Sequence, residues 1–170
     1  MHTLALRGSV RHLPREAREF EAAGLVCATP DGFTLTAAGH RCHRALLEEE
    51  RARLDIGLLD ILFERFGPIA RRLDALESRW RASKPPARRK LVGELLAVVD
   101  ELEPVLQRSG HVAPRFGAYI ERLESARRCV LAGDLDRAFD DPVDSIRAVC
   151  GDVHEDYLQT LGRGYGPETG

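Results

Sequence analysis

The chain has 170 residues, 44% of them hydrophobic and 31% charged, enough for one domain with a sizeable core or for a small module fused to a helical body. Its 25 basic residues face 27 acidic ones, which excludes nucleic-acid binding by bulk electrostatics and leaves room only for a local basic footprint. With aromatics at 6% and β-branched residues scarce, an all-β fold is excluded, and no uncharged stretch approaches the roughly 18 to 20 apolar residues of a membrane span.

The elements are expected in the following order. A helix begins near Leu13-Pro14 and runs through Ala23, with Pro14 suited to the first turn and Gly24 to the C-terminal cap. Leu25 to Ala28 reads as a strand, Thr29-Pro30-Asp31-Gly32 as a tight turn, and Phe33 to Thr36 as the returning strand of a β-hairpin. From Ala37 to about Phe66 one long helix is expected, its stripe formed by His43, Leu47, Leu54, Leu58, Ile61, Leu62 and Phe66. Gly67-Pro68 should interrupt it before a helix from Ile69 to Ser83. Lys84-Pro85-Pro86 is the clearest break. Three more helices follow, over 87–108, 114–132 and 143–161, punctuated by Gly133 and Asp140-Asp141-Pro142, with a frayed tail from Gly162. The predicted fold class is mainly α, a small module with one β-hairpin followed by an antiparallel helical bundle, divided into 1–47 and 48–170.

One run in the first module carries a resemblance. Glu21-Ala22-Ala23-Gly24-Leu25-Val26, then Asp31-Gly32-Phe33-Thr34-Leu35-Thr36, then Ala37-Ala38-Gly39-His40 resembles winged-helix regulators of the MarR and PadR families, over roughly residues 13–47, which makes that module a shortened winged helix. In those families the corresponding run passes from the recognition helix through the wing into the next helix. The resemblance implies double-stranded DNA as a partner, contacted by Arg7, Arg11, His12, Arg15 and Arg18, and a homodimer that doubles the footprint. Residues 1–47 carry six Arg against four acids, a net charge of +2, so a solvated amphipathic helix is the alternative for the same segment. A complete winged helix has two helices before the recognition helix, and only twelve residues precede it here. Either the true start lies upstream or the module has lost a helix.

The helical body is similar to actinobacterial winged-helix proteins associated with phosphoenolpyruvate-utilising domains. That similarity runs through Leu46 to Asp55, Phe63-Glu64-Arg65-Phe66 with Trp80, and Asp144 to Arg163. It bears on fold rather than on reaction.

Candidate chemistry is sparse. His40 and His43 have the i, i+3 spacing of a metal pair, but no third ligand stands at matched spacing, and no metal or cofactor is expected. Four cysteines (Cys27, Cys42, Cys129, Cys150) form no CxxC pair, which argues against a disulfide framework or zinc ribbon. On the last helix Val143, Ile146, Val149, Val153, Tyr157 and Leu161 form the apolar face, and His154-Glu155-Asp156 reads either as a titratable rim or as an exposed edge. A small-molecule effector pocket would draw on His43, Trp80, His154 and Tyr157; Trp80, Phe63 and Phe66 equally suit plain core. Phosphate loops, nucleophile elbows and zincin motifs are absent. The expected function is a cytoplasmic winged-helix transcriptional regulator with a helical dimerisation or effector region. The alternative is an enzyme or small-molecule binder on a degenerate winged-helix scaffold.

Overall fold

The computed structural model describes residues 18–30 and 32–163. It is mainly α-helical, with one two-stranded antiparallel sheet. The chain divides into two units, residues 1–54 with 158–170, and residues 55–157. The boundary expected at 47/48 therefore falls later, and the end of the last helix belongs to the first unit.

In the first unit, α1 (Arg18–Ala22) leads to a hairpin of β1 (Val26–Thr29) and β2 (Gly32–Leu35), followed by α2 (Ala37–Arg51). The sheet register pairs Val26 with Leu35 and Thr29 with Gly32. Only the base of the hairpin is deeply buried, through Val26 and Leu35, while Leu25 and Phe33 are half-buried. Three residues hold that base. Gly24 adopts φ +67°, the left-handed conformation that lets α1 stop and turn. Thr36 donates its hydroxyl to the Gly24 carbonyl at 2.7 Å and accepts from the Gly39 backbone N–H at 3.1 Å, capping α2. Gly39 lies so close to the preceding loop that a Cβ there would sit 2.0 Å from the Leu25 carbonyl oxygen.

The expected helix from Ala37 to Phe66 is two helices. α2 ends at Arg51, and α3 (Ile56–Ala82) starts afresh, with the Asp55 carboxylate accepting from the Leu58 N–H at 2.9 Å. The expected interruption at Gly67-Pro68 does not occur. Pro68 sits inside α3 and lacks an N–H for the carbonyl four residues back, but buried Phe66 and Ile69 on either side anchor the helix through it. α4 (Pro85–Val112) likewise continues through Pro104, between buried Leu102 and Val105. A 3₁₀ turn (Pro114–Phe116), α5 (Gly117–Leu131), the short α6 (Asp136–Phe139) and α7 (Ile146–Leu161) complete the chain. α7 starts at Ile146 rather than Val143 because Asp141 accepts from the N–H groups of Val143 and Asp144, while the Ser145 hydroxyl accepts from Ala148 N–H.

Side-chain pairs fix the helix directions in the second unit. Arg72 pairs with Glu101 and Arg79 with Glu94, so α3 and α4 run antiparallel; Gly110 against the Gly117 backbone at one end and Arg127 with Asp100 at the other say the same of α4 and α5. Arg115 and Arg122 pair with Asp156 and Asp152, and Arg147 pairs with Glu77 while Phe63 meets Tyr157, which makes α7 antiparallel to both α5 and α3. The result is an up-down-up-down four-helix bundle. Its core includes Leu59, Leu62, Leu73, Leu95, Leu102, Leu106, Leu123 and Val153.

Replacing Gly39 with Ala should destabilise the first unit by about 1–3 kcal/mol, since the added methyl meets backbone that has no rotamer to escape into. Hydrogen exchange of the Val26–Thr29 and Gly32–Leu35 amides checks this; unchanged protection refutes it.

Candidate functional site

The expected DNA-contacting residues Arg7, Arg11, His12 and Arg15 lie outside the described residues; Arg18 is exposed on α1. The expected pocket residues are not brought together as a set. His43 is buried in α2 of the first unit. Trp80, His154 and Tyr157 belong to the second unit, but Trp80 lies 14 residues beyond Phe66 on α3, about 21 Å along the helix axis. It is fully buried against Phe139, with ring centroids 5.2 Å apart, and the Arg88 guanidinium stacks over it at 5.4 Å. A shallow groove of about 280 Å³ between α3 and α4 is lined by Arg72, Leu76, Arg79, Glu94 and Val98 among others, and by none of the four.

His154 and Tyr157 do share a cluster. Phe63 and Phe66 of α3 face both, with centroid separations of 5.4 to 6.1 Å, and Phe116 approaches Tyr157 at 4.7 Å. Tyr157 is fully buried and shares a hydrogen bond with the Ser109 hydroxyl, which is also bonded to the Val105 carbonyl at 2.9 Å. His154 is exposed at the rim. Its ring lies against Phe63 and Phe66 at the edge of the stack.

The polar centre of the bundle lies next to this stack. Asp156 has no exposed surface, so an exposed His154-Glu155-Asp156 edge does not describe it; Glu155 is half-buried as well. Arg115 Nε donates to both Asp156 oxygens, at 2.9 and 3.3 Å, and the Tyr119 hydroxyl donates to Oδ2 at 3.0 Å. Farther along, Arg122 binds Asp152 at 2.8 Å and lies over the Tyr119 ring. Burial and then the Asp156 charge push the Tyr119 hydroxyl far up from its ordinary value, which keeps it a donor. Burial likewise pushes Tyr157 up to about 12. Arg115 and Tyr119 thus both donate to one buried carboxyl group. Sequence reasoning set Asp156 with His154 and Glu155 at a rim or an exposed edge, although it falls three residues after Val153 and seven after Val149, on the apolar stripe itself.

Among the described residues no three His, Cys, Asp or Glu side chains converge as a metal-binding group; His40 is exposed where His43 is buried. No protein family, curated protein or solved structure matches the chain.

Removing one partner of the buried pair should cost far more than an ordinary surface change. Arg115→Ala is expected to lower the unfolding free energy by about 3–5 kcal/mol, because it strands the Asp156 charge, while Arg115→Met with Asp156→Leu should recover much of the loss. Denaturant titration of the three proteins decides the matter, and additive losses in the double variant count against it. A second expectation concerns alkaline pH. Tyr157 is harder to ionise folded than unfolded, so its contribution is intact below the ordinary tyrosine value near 10 and is lost as pH rises toward about 12. Melting temperature followed from pH 8 upward should fall less steeply in Tyr157→Phe than in the wild type; parallel curves refute this.

Proposed function

We propose that this chain is a winged-helix DNA-binding regulator, in which the hairpin unit contacts duplex DNA and the helical bundle supplies dimerisation or effector response. The observation that carries the reading is the base of the hairpin. Gly24, Thr36 and Gly39 each perform a distinct job there, and they are the landmarks on which the MarR and PadR resemblance rests. A positive-φ stop, a cap that reaches back to the helix before the hairpin, and a bare glycine where α2 passes the loop together set a two-stranded wing beside the helix that precedes it. Exposed Arg18 on α1 supports the same reading, since arginine suits both phosphate oxygens and guanine edges. The separation of Trp80 from the His154–Tyr157 cluster favours this reading over a small-molecule enzyme using those side chains.

The test is fluorescence anisotropy of the full chain on duplex DNA from upstream of its own coding region, with an unrelated duplex as reference. Binding below micromolar and salt-sensitive is expected, weakened about tenfold or more in Arg15→Glu with Arg18→Glu, with a salt slope shallower by about 0.9 for each phosphate no longer neutralised. No salt-sensitive binding of the upstream duplex, or binding indifferent to those substitutions, overturns the reading.

A further inference from the structure

Between Ser78 and Gly93 the chain carries six basic residues, Arg79, Arg81, Lys84, Arg88, Arg89 and Lys90, and no acid, in a protein of net charge −2. Both lysines of the whole sequence are among them. The segment forms the turn between α3 and α4 with the helical turns on either side.

Half of this charge is answered by neighbours. Arg79 binds Glu94, Arg81 binds Glu77, and Arg88 lies 3.6 Å from Asp140 while donating to the Trp80 and Ser83 carbonyls. The other acids at this end of the bundle are also engaged. Asp134, Asp141 and Asp144 share Arg137, and Asp74 shares Arg147 with Glu77. Asp136, exposed on α6, is the exception. Lys84, Arg89 and Lys90 are exposed and make no ion pair among the described residues. They lie within an axial rise of about 9 Å at the start of α4, Lys84 at its N-terminal end and Arg89 and Lys90 about 100° apart around its axis.

The surroundings select the kind of anion. Although Leu131 and Val143 are exposed at the same end of the bundle, no exposed large hydrophobic side chain lies in the segment itself. Its one aromatic, Trp80, is buried beneath Arg88 and gives an unpaired base nothing to stack on. We propose that the α3–α4 turn is a docking surface for the phosphodiester backbone of duplex nucleic acid, held by Lys84, Arg89 and Lys90 without reading base sequence. This surface lies on the bundle and does not depend on the hairpin unit binding DNA.

The experiment compares the full wild-type chain with Lys84→Gln/Arg89→Gln/Lys90→Gln on an unrelated duplex of about 20 base pairs, by anisotropy from about 50 to 200 mM salt. The variant should show a log–log salt slope shallower by about 2.7, so that it escapes about 40-fold of the wild type's loss of affinity across that range. Lys84→Arg with Lys90→Arg should keep the wild-type slope, and unchanged melting curves would show that all variants are folded. Equal slopes for wild type and the Gln variant overturn the proposal, as does a wild type that binds no duplex, or a defect confined to phosphatidylserine vesicles. Arg15→Glu with Arg18→Glu, run alongside, separates the two readings. If it is inert while the Gln variant is impaired, the hairpin reading falls and the turn stands; the reverse result rejects the turn alone.

Discussion

A single buried carboxylate sets the register of the bundle. Asp156 is shut off from solvent, and a bare charge in that position costs several kcal/mol. It is tolerated because Arg115 arrives from the 3₁₀ turn and Tyr119 from the first turns of α5, both donating to the same group. Apolar helix faces tolerate small slips against one another, since one leucine replaces another at modest cost. A carboxylate does not: moving α7 by one residue would carry Asp156 away from both of these donors. The Arg122–Asp152 pair repeats the constraint along the same two helices, and the Ser109–Tyr157 hydrogen bond ties α7 to α4 across the core. One end of the bundle is thus specified by polar geometry, while the other, around Trp80 and Phe139, relies on shape.

The first unit is specified by a different means, the backbone itself. Gly24 supplies a conformation, Thr36 two hydrogen bonds and Gly39 an absence of volume. None of the three needs to touch a ligand. The residues that make this segment resemble winged-helix regulators are therefore residues of architecture, and the resemblance bears on fold rather than on what the unit binds.

That division explains what was legible in the sequence. Helical content and the hairpin, to within a residue at its strand ends, followed from periodicity, turn residues and caps. The breaks in the helices were harder because proline and glycine are weighed locally, whereas Pro68 survives on the tertiary packing of Phe66 and Ile69. The true break, near Asp55, carried an N-cap residue ahead of Ile56-Gly57-Leu58, a signal hidden by the apolar stripe running across it. Asp156 was misjudged through its neighbours: His154 and Glu155 suggest a wet edge, yet heptad spacing from Val149 places the aspartate on the dry one. Of the expected pocket residues, Trp80 stands apart from His154 and Tyr157 because the 14 residues of α3 between it and Phe66 carry it about 21 Å along the axis from the ring that meets them.

Trp80 is the only tryptophan in the chain and is wholly enclosed in the second unit, with a cation above it and a phenyl ring at its side. Its emission is consequently a private reporter of that unit. Intrinsic fluorescence will follow the loss of the bundle's shape-packed end and stay blind to the hairpin, whereas far-ultraviolet dichroism sums over every helix in both units. Any gap between the two transitions would measure, without a label, how independently the two parts of this chain come apart.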